Sequence, residues 1–427
     1  MKIAFISQYF FPEQFSNTAI ARDLVARGHD VHVFTCVPNY PAGVFFEGYS
    51  NASRREEDWE GMRISRVYTF ARGKTAAALL LNYLAFPVAA SWTLSRRLAP
   101  AADVSFVSMP SPLLQAFAGL FLRWRTGTPC VYWVQDIWPE SVTYTLGIHN
   151  RAVVGLLNAL CGWLYRRADI VMIQSAAFDS MIARFGVPEE RIRLLPNTAP
   201  DSYVPMAPQD APEYAVLVPQ DGFRLMFAGN IGESQDFDTL IAAAGLLRTR
   251  HDLRWVIVGS GRDQARAQKL IAERGLEDRF HFLGRFPETE MPKLFAHADA
   301  MLVSLKDIPI FSLTVPYKVQ CYMACGKPIL ASLSGEGARI IEEAEAGLAV
   351  PAGRPEALAD AITRMMDTGP EARAAYAGNG RRYFEAHYSP EQVYGALECA
   401  LHDAAGLRTE RRARRHASRS RPAGGDC

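Results

Sequence analysis

The sequence predicts an α/β protein of two domains, each built on a doubly wound parallel sheet with helices on both faces. A length of 427 residues exceeds what one hydrophobic core usually supports, which favours two domains. Apolar runs of strand length alternate with helical patterns along the chain, and continuous apolar strands are typical of buried parallel sheets. The alternation pauses once and then restarts, which places the domain boundary.

The first half contains six apolar runs of strand length. They lie at residues 3–7, 31–35, 104–108, 130–134, 170–174 and 192–195. Helical patterns such as 18–27 and 153–166 separate most of these runs. We assign residues 1–198 to the first domain.

A stretch rich in Pro, Asp and Ala at 199–222 shows no strand or helix pattern, so we expect a linker there. Strands are then predicted at 225–228, 255–258, 280–283, 300–304, 329–331 and 348–350. These runs define a second domain at 223–385. Residues 406–427 form a basic tail without apolar periodicity, which predicts disorder.

The charge balance argues against a nucleic-acid-binding protein, and the cysteine pattern argues against a disulfide-bonded one. The chain has 46 basic and 45 acidic side chains, whereas a nucleic-acid-binding protein needs a broad basic surface. Its seven cysteines are scattered, which favours free thiols in a reducing compartment over disulfides. Cys321 and Cys325 lie one helical turn apart, but no second pair follows at zinc-ligand spacing. We therefore expect no metal site.

The segment "FSLTVPYKVQCYMACGKPILAS" at 311–332 predicts a short helix between two strands. Thr314, Val315 and Pro316 stand at its start and Gly326 just after its end, as helix-terminus preferences require. Lys318 falls in the first turn, where free backbone amides carry partial positive charge. The segment therefore predicts an anion-binding site.

Small residues follow the second-domain strands, at the edge where doubly wound sheets bind ligands. They include Gly229, Asn230, Gly259 and Gly284. Taken singly, each of these glycines favours a simple turn, and Lys318 alone favours a solvated surface lysine. Because several such features converge on one sheet edge, the predicted anion is a phosphate or diphosphate.

The loops after the first-domain strands combine amides, carboxylates and aromatic rings. They read "SQYFFPEQFSN", "TCVPNYPAG", "SMPSP" and "VQDIWPES". Such a mixture suits a carbohydrate, because hydroxyl groups pair with polar side chains while CH faces pack on rings. Asp136 directly follows a buried strand and is the predicted catalytic residue. Core packing is the alternative explanation for Tyr40 and Trp138.

The apolar segment 75–98 is almost long enough to span a bilayer, although it contains Asn82, Pro87 and Ser91. A kinked, buried or surface-docked helix explains it as well as a span does. The arginines and lysine that flank it could meet anionic lipid head groups; they are Arg72, Lys74, Arg96 and Arg97. No secretory signal is recognised at the N-terminus, so we expect a cytoplasmic protein in peripheral contact with the inner face of an anionic membrane.

Ten motifs in a fixed order resemble the family 4 glycosyltransferases, and within them the WbuB-like branch of bacterial surface-polysaccharide synthesis. They are "QYFFPEQF", "RGHDVHVFT", "PNYPAG", "VQDIWPES", "LLPNTAP", "FAGNIG", "FLGRFP", "ADAMLVSL", "ACGKPILA" and "SPEQVYGALECAL". The resemblance covers residues 1 to about 401. It implies a GT-B fold, in which two Rossmann-like domains face each other across a cleft and a C-terminal helix near 386–405 rejoins the first domain.

The resemblance also implies a nucleotide-sugar donor in the second domain, an acceptor in the first, retention of anomeric configuration and no required metal. With the strand-end positions, it gives the donor-binding candidates Gly229, Asn230, Gln235, Gly259, Arg285, Val315, Lys318 and Glu336. On the acceptor side it gives the candidates Gln14, Asn17, Asn39, Tyr40 and Trp138.

This sequence departs from the family pattern at three places. The usual pair of glutamates falls on Leu313 and Cys321, so both carboxylates are missing. The basic residues that commonly hold the diphosphate fall on the neutral Asn230 and Gln235, and "FSN" replaces the first domain's glycine pair. Donor binding should therefore depend on Lys318 and the amides of its helix.

The resemblance predicts a retaining transferase that moves a sugar, with an N-acetylated amino sugar among the candidates, from a UDP-linked donor. The acceptor would be a lipid-linked saccharide or oligosaccharide in O-antigen, capsule or exopolysaccharide synthesis. Two alternatives remain open, because fold does not fix function. One is a UDP-sugar epimerase, and the other is a catalytically silent protein that binds sugar nucleotides.

Overall fold

The computed structural model describes residues 1–73, 75–98, 101–145 and 150–419. Contacts divide the chain into two compact units. The first comprises Met1–Leu195 with Tyr394–Cys427, and the second comprises Pro196–Val393. Each unit contains one sheet with helices, as the sequence predicts.

The first unit contains a mixed sheet of eight strands. Its strands are β1 (Lys2–Ile6), β2 (Asp30–Thr35), β3 (Glu56–Trp59), β4 (Met62–Arg66), β5 (Val104–Met109), β6 (Cys130–Val134), β7 (Ile170–Ile173) and β8 (Ile192–Leu194). Its α-helices before the second unit are α1 (Asn17–Ala26), α2 (Ala76–Arg97), α3 (Ala116–Thr126), α4 (Glu140–Thr145), α5 (Arg151–Tyr165) and α6 (Asp179–Ala183). The spatial order is β3-β4-β2-β1-β5-β6-β7-β8, parallel except for the β3–β4 pair.

The second unit contains a parallel sheet of six strands. Its strands are β9 (Phe223–Ala228), β10 (Leu253–Val258), β11 (Phe280–Gly284), β12 (Ala300–Ser304), β13 (Ile329–Ser332) and β14 (Gly347–Val350). The remaining helices are α7 (Phe237–Leu246), α8 (Gln264–Glu273), α9 (Met291–Ala296), α10 (Pro309–Ser312), α11 (Tyr317–Ala324), α12 (Glu336–Glu343), α13 (Pro355–Asp367), α14 (Pro370–His387) and α15 (Pro390–Arg419). The spatial order is β11-β10-β9-β12-β13-β14.

The strand order reverses beside the first strand of each unit. In the first sheet β1 lies between β2 and β5, and in the second β9 lies between β10 and β12. Helices that follow the two neighbours of such a strand leave it on opposite faces, which opens a crevice beyond its carboxyl end. The ends of β1 and β9 are therefore where a ligand should bind in each unit.

The edge hairpin β3–β4 has no counterpart among the predicted strand segments. Its residues are charged and partly exposed, so they lack the continuous apolar run of the central strands. Glu60 and Gly61 form the turn with positive φ angles. The hairpin extends the sheet beyond β2 and lies far along the sheet order from β5 and β6.

Residues 199–222 are not a separate linker, contrary to the prediction. Ala199, Tyr203 and Val218 are buried in the core of the second unit. His297 contacts the carbonyl of Ala211 at 2.8 Å, which holds the middle of this stretch. Apolar side chains spaced through a non-periodic segment give no strand or helix pattern, but they are sufficient to pack it against a core.

The basic tail also differs from the prediction of disorder at 406–427. Helix α15 continues to Arg419, and residues 420–427 lie outside the described part of the chain. Arg, Ala and Glu are good helix formers, so a helix that is already nucleated extends through them at low cost. Within the first unit α15 contacts the body through Glu398, which bonds Arg27 and His29.

Helix α2 is long and apolar enough to cross a membrane by length and composition, which alone is weak evidence of a span. One side of it packs in the first unit, where Phe86, Ala90 and Leu94 are buried. Asn82 on the same side accepts a hydrogen bond from Gln8 Nε2 at 2.6 Å and donates one to a backbone carbonyl. The opposite side is exposed. The flanking Lys74 lies outside the described residues.

Candidate active site

The ends of β9 and β10 approach each other so closely that only glycine fits. A Cβ on Gly259 would lie 1.9 Å from the carbonyl oxygen of Gly229, and both residues have φ angles near +130°. A Cβ on Gly261 would lie 2.0 Å from the carbonyl oxygen of Ile231. The predicted Gly229 and Gly259 therefore bring bare backbone to the crevice edge of the second sheet.

Lys318 lies against this bare backbone. A Cβ on Gly229 would come within 2.7 Å of its Cε, and its Nζ is 3.7 Å from the centre of the Phe227 ring. The ammonium donates a hydrogen bond to Gln235 Oε1 and has no acidic partner among the described residues. Burial lowers its pKa to about 7, from an ordinary value of 10.5. The side chain is thus a held cation whose charge an anion would stabilise.

Two helices begin close to one another near Lys318. Helix α11 starts directly after Pro316, and Gly326 follows its end with a positive φ angle, as predicted. A Cβ on Gly337, in the first turn of α12, would lie 3.0 Å from Pro316 Cδ. Val315 is buried and fixes the approach to α11. Free amides of two helix starts therefore face the same region of the second unit.

The remaining donor-binding candidates differ in their exposure and in whether their side chains already have hydrogen-bond partners. Gln235 is engaged by Lys318, and Asn230 and Arg285 are exposed. Glu336 is buried, and Arg339 binds both of its carboxylate oxygens, at 2.8 and 2.9 Å. Because that carboxylate is already paired, we reassign Glu336 to holding the first turn of α12 rather than to direct donor binding.

The first unit contains a cavity of about 360 Å³ beyond the ends of its central strands. Asp136, Tyr40 and Trp138, all predicted from the sequence, line it together. The other lining residues are Tyr9, Phe15, Arg72, Leu79, Tyr83, Pro110, Ser111, Ser141 and Val142. A concave site of this size, lined mainly by aromatic and aliphatic side chains with a few polar groups, is typical of a small-molecule pocket.

Aromatic rings and one arginine give the cavity its shape. Tyr9 stacks on Phe15 at 5.1 Å between ring centres, and both rings contact Tyr40. The guanidinium of Arg72 lies 5.1 Å above the Tyr40 ring. The hydroxyl of Tyr9 and the indole N–H of Trp138 have no hydrogen-bond partner among the described residues. Buried donors without a partner are rare, but both atoms are closed off from the open surface of the cavity, so a ligand would reach them only if neighbouring side chains moved.

Asp136 is the acidic group of this cavity. Its carboxyl makes no hydrogen bond or ion pair with the described residues, and burial alone raises its pKa to about 6, from an ordinary value of 3.8. At neutral pH it is mostly ionised, yet it can exchange a proton within the physiological range. The carboxyl can therefore orient, or accept a proton from, a ligand hydroxyl.

Asn17 and Asn39 correct the acceptor-side prediction. Asn17 is buried, and its amide bonds Ser7 and Ser108 at 2.8 and 2.5 Å. Asn39 is also buried, and its amide joins the carbonyl of Val37 to the backbone N–H of Arg72. Both side chains form their hydrogen bonds with loop backbone or with buried hydroxyl groups. They therefore hold the loops around the cavity without lining it. Gln14 is exposed and does not line it either.

Glu13 is a positioning residue that the sequence analysis missed. It is buried, and its carboxylate accepts hydrogen bonds from the backbone N–H groups of Asn39, Tyr40 and Phe10, at 2.8, 2.7 and 3.3 Å. Burial raises its pKa to about 7 against the opposing effect of these donors. The available signal was an acid alone in the apolar loop "YFFPEQF". Through these hydrogen bonds, Glu13 connects the loop after β1 to the loop after β2.

One cluster of side chains in the described residues has metal-ligand chemistry. His29, Glu398 and His402 place ligand atoms within 4.8 Å of one another on α15 and the turn before β2. Glu398 is already bonded to Arg27, and none of the three lines the cavity. We therefore assign no catalytic role to this cluster.

Two family models match successive parts of the chain. The model described as "Glycosyl transferase 4-like domain" matches residues 16–198, and "Glycosyl transferases group 1" matches residues 215–383. The putative colanic acid biosynthesis glycosyl transferase WcaI of Escherichia coli K12 is 28% identical over 294 residues, spanning 66% of this chain and 70% of that protein.

Solved structures share the fold over nearly the whole chain. Sucrose-phosphate synthase from Thermosynechococcus elongatus has a TM-score of 0.74 at 20% identity, covering 94% of this chain and 99% of that one. Anabaena Alr3699/HepE in complex with UDP has a TM-score of 0.69 at 16% identity, covering 94% and 100%. Since the two family models together match more than half of the chain and the folds agree, the chain belongs to the family 4 glycosyltransferases of GT-B fold.

Proposed function

We propose that this glycosyltransferase moves a sugar from a UDP-linked donor, with retention of configuration, to a lipid-linked saccharide of a bacterial surface polysaccharide. The second unit binds the donor and the first unit binds the acceptor. The assignment to the WbuB-like branch stays part of this proposal. So do an N-acetylated amino sugar as the transferred group and catalysis without a metal.

The observation that carries the proposal is the state of Lys318. Its ammonium is held between the Phe227 ring and the bare backbone of Gly229, with a neutral amide as its hydrogen-bond partner. Keeping a lysine there without an acidic partner costs free energy, which its lowered pKa reports. A diphosphate would supply the missing charge, and the amides at the starts of α11 and α12 would supply further donors.

The cavity of the first unit supports a saccharide acceptor. Its aromatic walls can pack on CH faces, while Asp136 and Arg72 can bond hydroxyl groups. HepE, whose fold is similar, has been solved with UDP and with UDP-glucose. WcaI is named as a colanic acid biosynthesis transferase. Both names support, for this chain, a nucleotide-sugar donor and a polysaccharide acceptor.

A silent sugar-nucleotide-binding protein is the second candidate, and one observation favours it. Leu313 and Cys321 stand where the family's glutamate pair is expected, and Cys321 is buried among apolar residues. No carboxylate can act from either position. The same donor site without turnover would then explain Lys318 equally well.

Release of UDP separates these functions. Purified full-length protein is incubated with a panel of UDP-sugars, with and without lipid-linked saccharides extracted from bacterial membranes. A transferase releases UDP only when an acceptor is present, and mass spectrometry then finds the acceptor heavier by one sugar. An epimerase changes the donor sugar without acceptor, whereas a silent protein binds UDP and changes neither compound. Either of the last two results would contradict the proposal.

A further inference from the structure

An apolar groove of about 500 Å³ runs along the exposed side of α2 in the first unit. Leu84, Val88 and Trp92 form one wall at helical spacing, and Tyr68 and Phe70 from the segment after β4 form the other. Val88 is 72% exposed and Trp92 is 61% exposed. A monomer that leaves so many neighbouring large apolar side chains in water has a binding surface there.

The groove and the aromatic cavity share helix α2. Leu79 and Tyr83 line the cavity from one side of the helix, whereas Leu84 and Val88 line the groove from the other. At 100° per residue, Leu80 projects between these two sides near the N-terminal end of α2, and it is exposed and apolar. An extended ligand can therefore leave the cavity, pass over Leu80 and continue into the groove without crossing a charged side chain of α2.

We propose that this groove binds the hydrocarbon chain of the lipid that carries the acceptor saccharide. The inference rests on the proposed function, because it assigns the acceptor to the cavity. The saccharide occupies the cavity beside Asp136, and the chain lies along α2 between Phe70 and Trp92. The phosphate group that joins sugar to lipid would meet Arg72, which lines the cavity and has no ion pair among the described residues.

Shape and charge favour a single chain over a flat bilayer as the occupant. The site is a groove with two walls, and Asn82 joins them by donating a hydrogen bond to the carbonyl of Phe70 at 2.6 Å. Both walls present exposed apolar side chains, Val88 and Trp92 from α2 and Tyr68 and Phe70 from the segment after β4, so a chain in the groove would be covered on two sides. Arg55 and Thr93 are the polar lining residues of the groove, and its other lining residues are apolar or aromatic. Arg96 stacks on Trp92 at 4.1 Å but does not line the groove.

Chain-length dependence of binding tests the proposal without relying on catalysis. Full-length protein is titrated by calorimetry with farnesyl phosphate and with dimethylallyl phosphate, both below their critical micelle concentrations. Burial of each further methylene should tighten binding by about fourfold where it is complete. We expect the longer compound to bind at least tenfold more tightly. Equal affinities for the two compounds would overturn the proposal.

A matched pair of double variants locates the effect. Val88→Gln with Trp92→Gln removes apolar surface from the groove, whereas Leu156→Gln with Trp124→Gln removes it from other helices of the same unit. The control residues are 70% and 81% exposed, so both variants should keep the melting temperature of the parent. Only the groove variant should lose affinity for farnesyl phosphate, by at least fivefold. Equal losses in both variants would overturn the proposal.

Two further measurements separate this inference from its alternatives. If the groove variant sediments less with phosphatidylcholine vesicles but binds farnesyl phosphate normally, the surface docks on bilayers and the proposal is wrong. In transfer assays, the groove variant should raise the KM for a lipid-linked acceptor while leaving a lipid-free saccharide unaffected. If the parent protein transfers no sugar but still binds farnesyl phosphate through the groove, the proposed function fails while the lipid-chain site stands.

Discussion

Lys318 should control donor affinity and its pH dependence. Lys318→Ala removes a charged hydrogen bond, worth roughly 1.5 to 3 kcal/mol, so UDP should bind at least tenfold more weakly. The pKa is near 7 in the free protein, so the cation is present below pH 7 and is lost above it. The affinity of the parent should therefore fall on the order of tenfold between pH 6.5 and 8.5, measured by calorimetry.

Two control variants test this prediction: one removes the charge of Lys318 but keeps its side-chain volume, and the other removes a lysine elsewhere in the second unit. Lys318→Met keeps most of the side-chain volume and should weaken binding as Ala does, with a flatter pH dependence and no loss of melting temperature. Lys269→Ala removes an exposed lysine of α8 that pairs with Glu273, and it should leave UDP affinity within twofold of the parent. If the Met variant bound UDP as tightly as the parent, the phosphate role of Lys318 would be wrong.

Asp136 should affect turnover without supporting stability. Its folded-state pKa of about 6 lies above the ordinary 3.8, so its ionisation makes the fold less stable as pH rises from about 4 to 6. Asp136→Asn should therefore keep or raise the melting temperature at pH 7, leave UDP affinity unchanged and lower kcat. In the parent, kcat should rise through pH 6 as the carboxylate forms. A lower melting temperature with a normal kcat would identify a structural residue.

At the scale of elements, α15 carries the arginine-rich end of the chain. The segment "RTERRARRHASRSRP" has seven arginines and one glutamate, and each basic residue near an anionic leaflet adds about 1 kcal/mol at low salt. Deletion after Leu407 should reduce sedimentation with anionic vesicles at low salt, while catalysis on a soluble acceptor analogue stays intact. High salt should release the parent protein.

The control for the tail removes charge without removing length. Replacing Arg411, Arg412, Arg414 and Arg415 by Gln keeps good helix formers in α15 and should reduce vesicle binding as the deletion does. Equal partitioning of parent, deletion and glutamine variant at every salt concentration would show that the tail is not an anchor.

At the scale of the whole molecule, transfer should not need a divalent metal. Lys318 and the amides of two helix starts are expected to stabilise the diphosphate in place of a cation. Treatment with EDTA should leave the rate unchanged, and added Mg²⁺ or Mn²⁺ should not raise it. Should EDTA abolish activity and Mn²⁺ restore it, His402→Ala would show whether the cluster on α15 is responsible.

The sequence by itself determined the two-sheet architecture and the edges where ligands should bind. Central parallel strands are buried on both faces, so each appears as a continuous apolar run whatever its partners are. The carboxyl ends of such strands share one edge, which led to Gly229, Gly259 and Asp136, whereas the pattern of a helix start led to Lys318. The family motifs added the transferase activity. The hairpin β3–β4 was not predicted, because charged residues interrupt its strands and leave no continuous apolar run.

Only the tertiary structure decided which candidate side chains are free to act. Asn17 and Asn39 were predicted to bind a ligand through their amides, but these amides already form hydrogen bonds with residues up to 91 positions away along the chain. Lys318 meets Gln235 from 83 positions away, and burial there lowers its pKa to about 7. Local periodicity encodes helices and strands, whereas burial, pairing and charge depend on neighbours that come together only on folding.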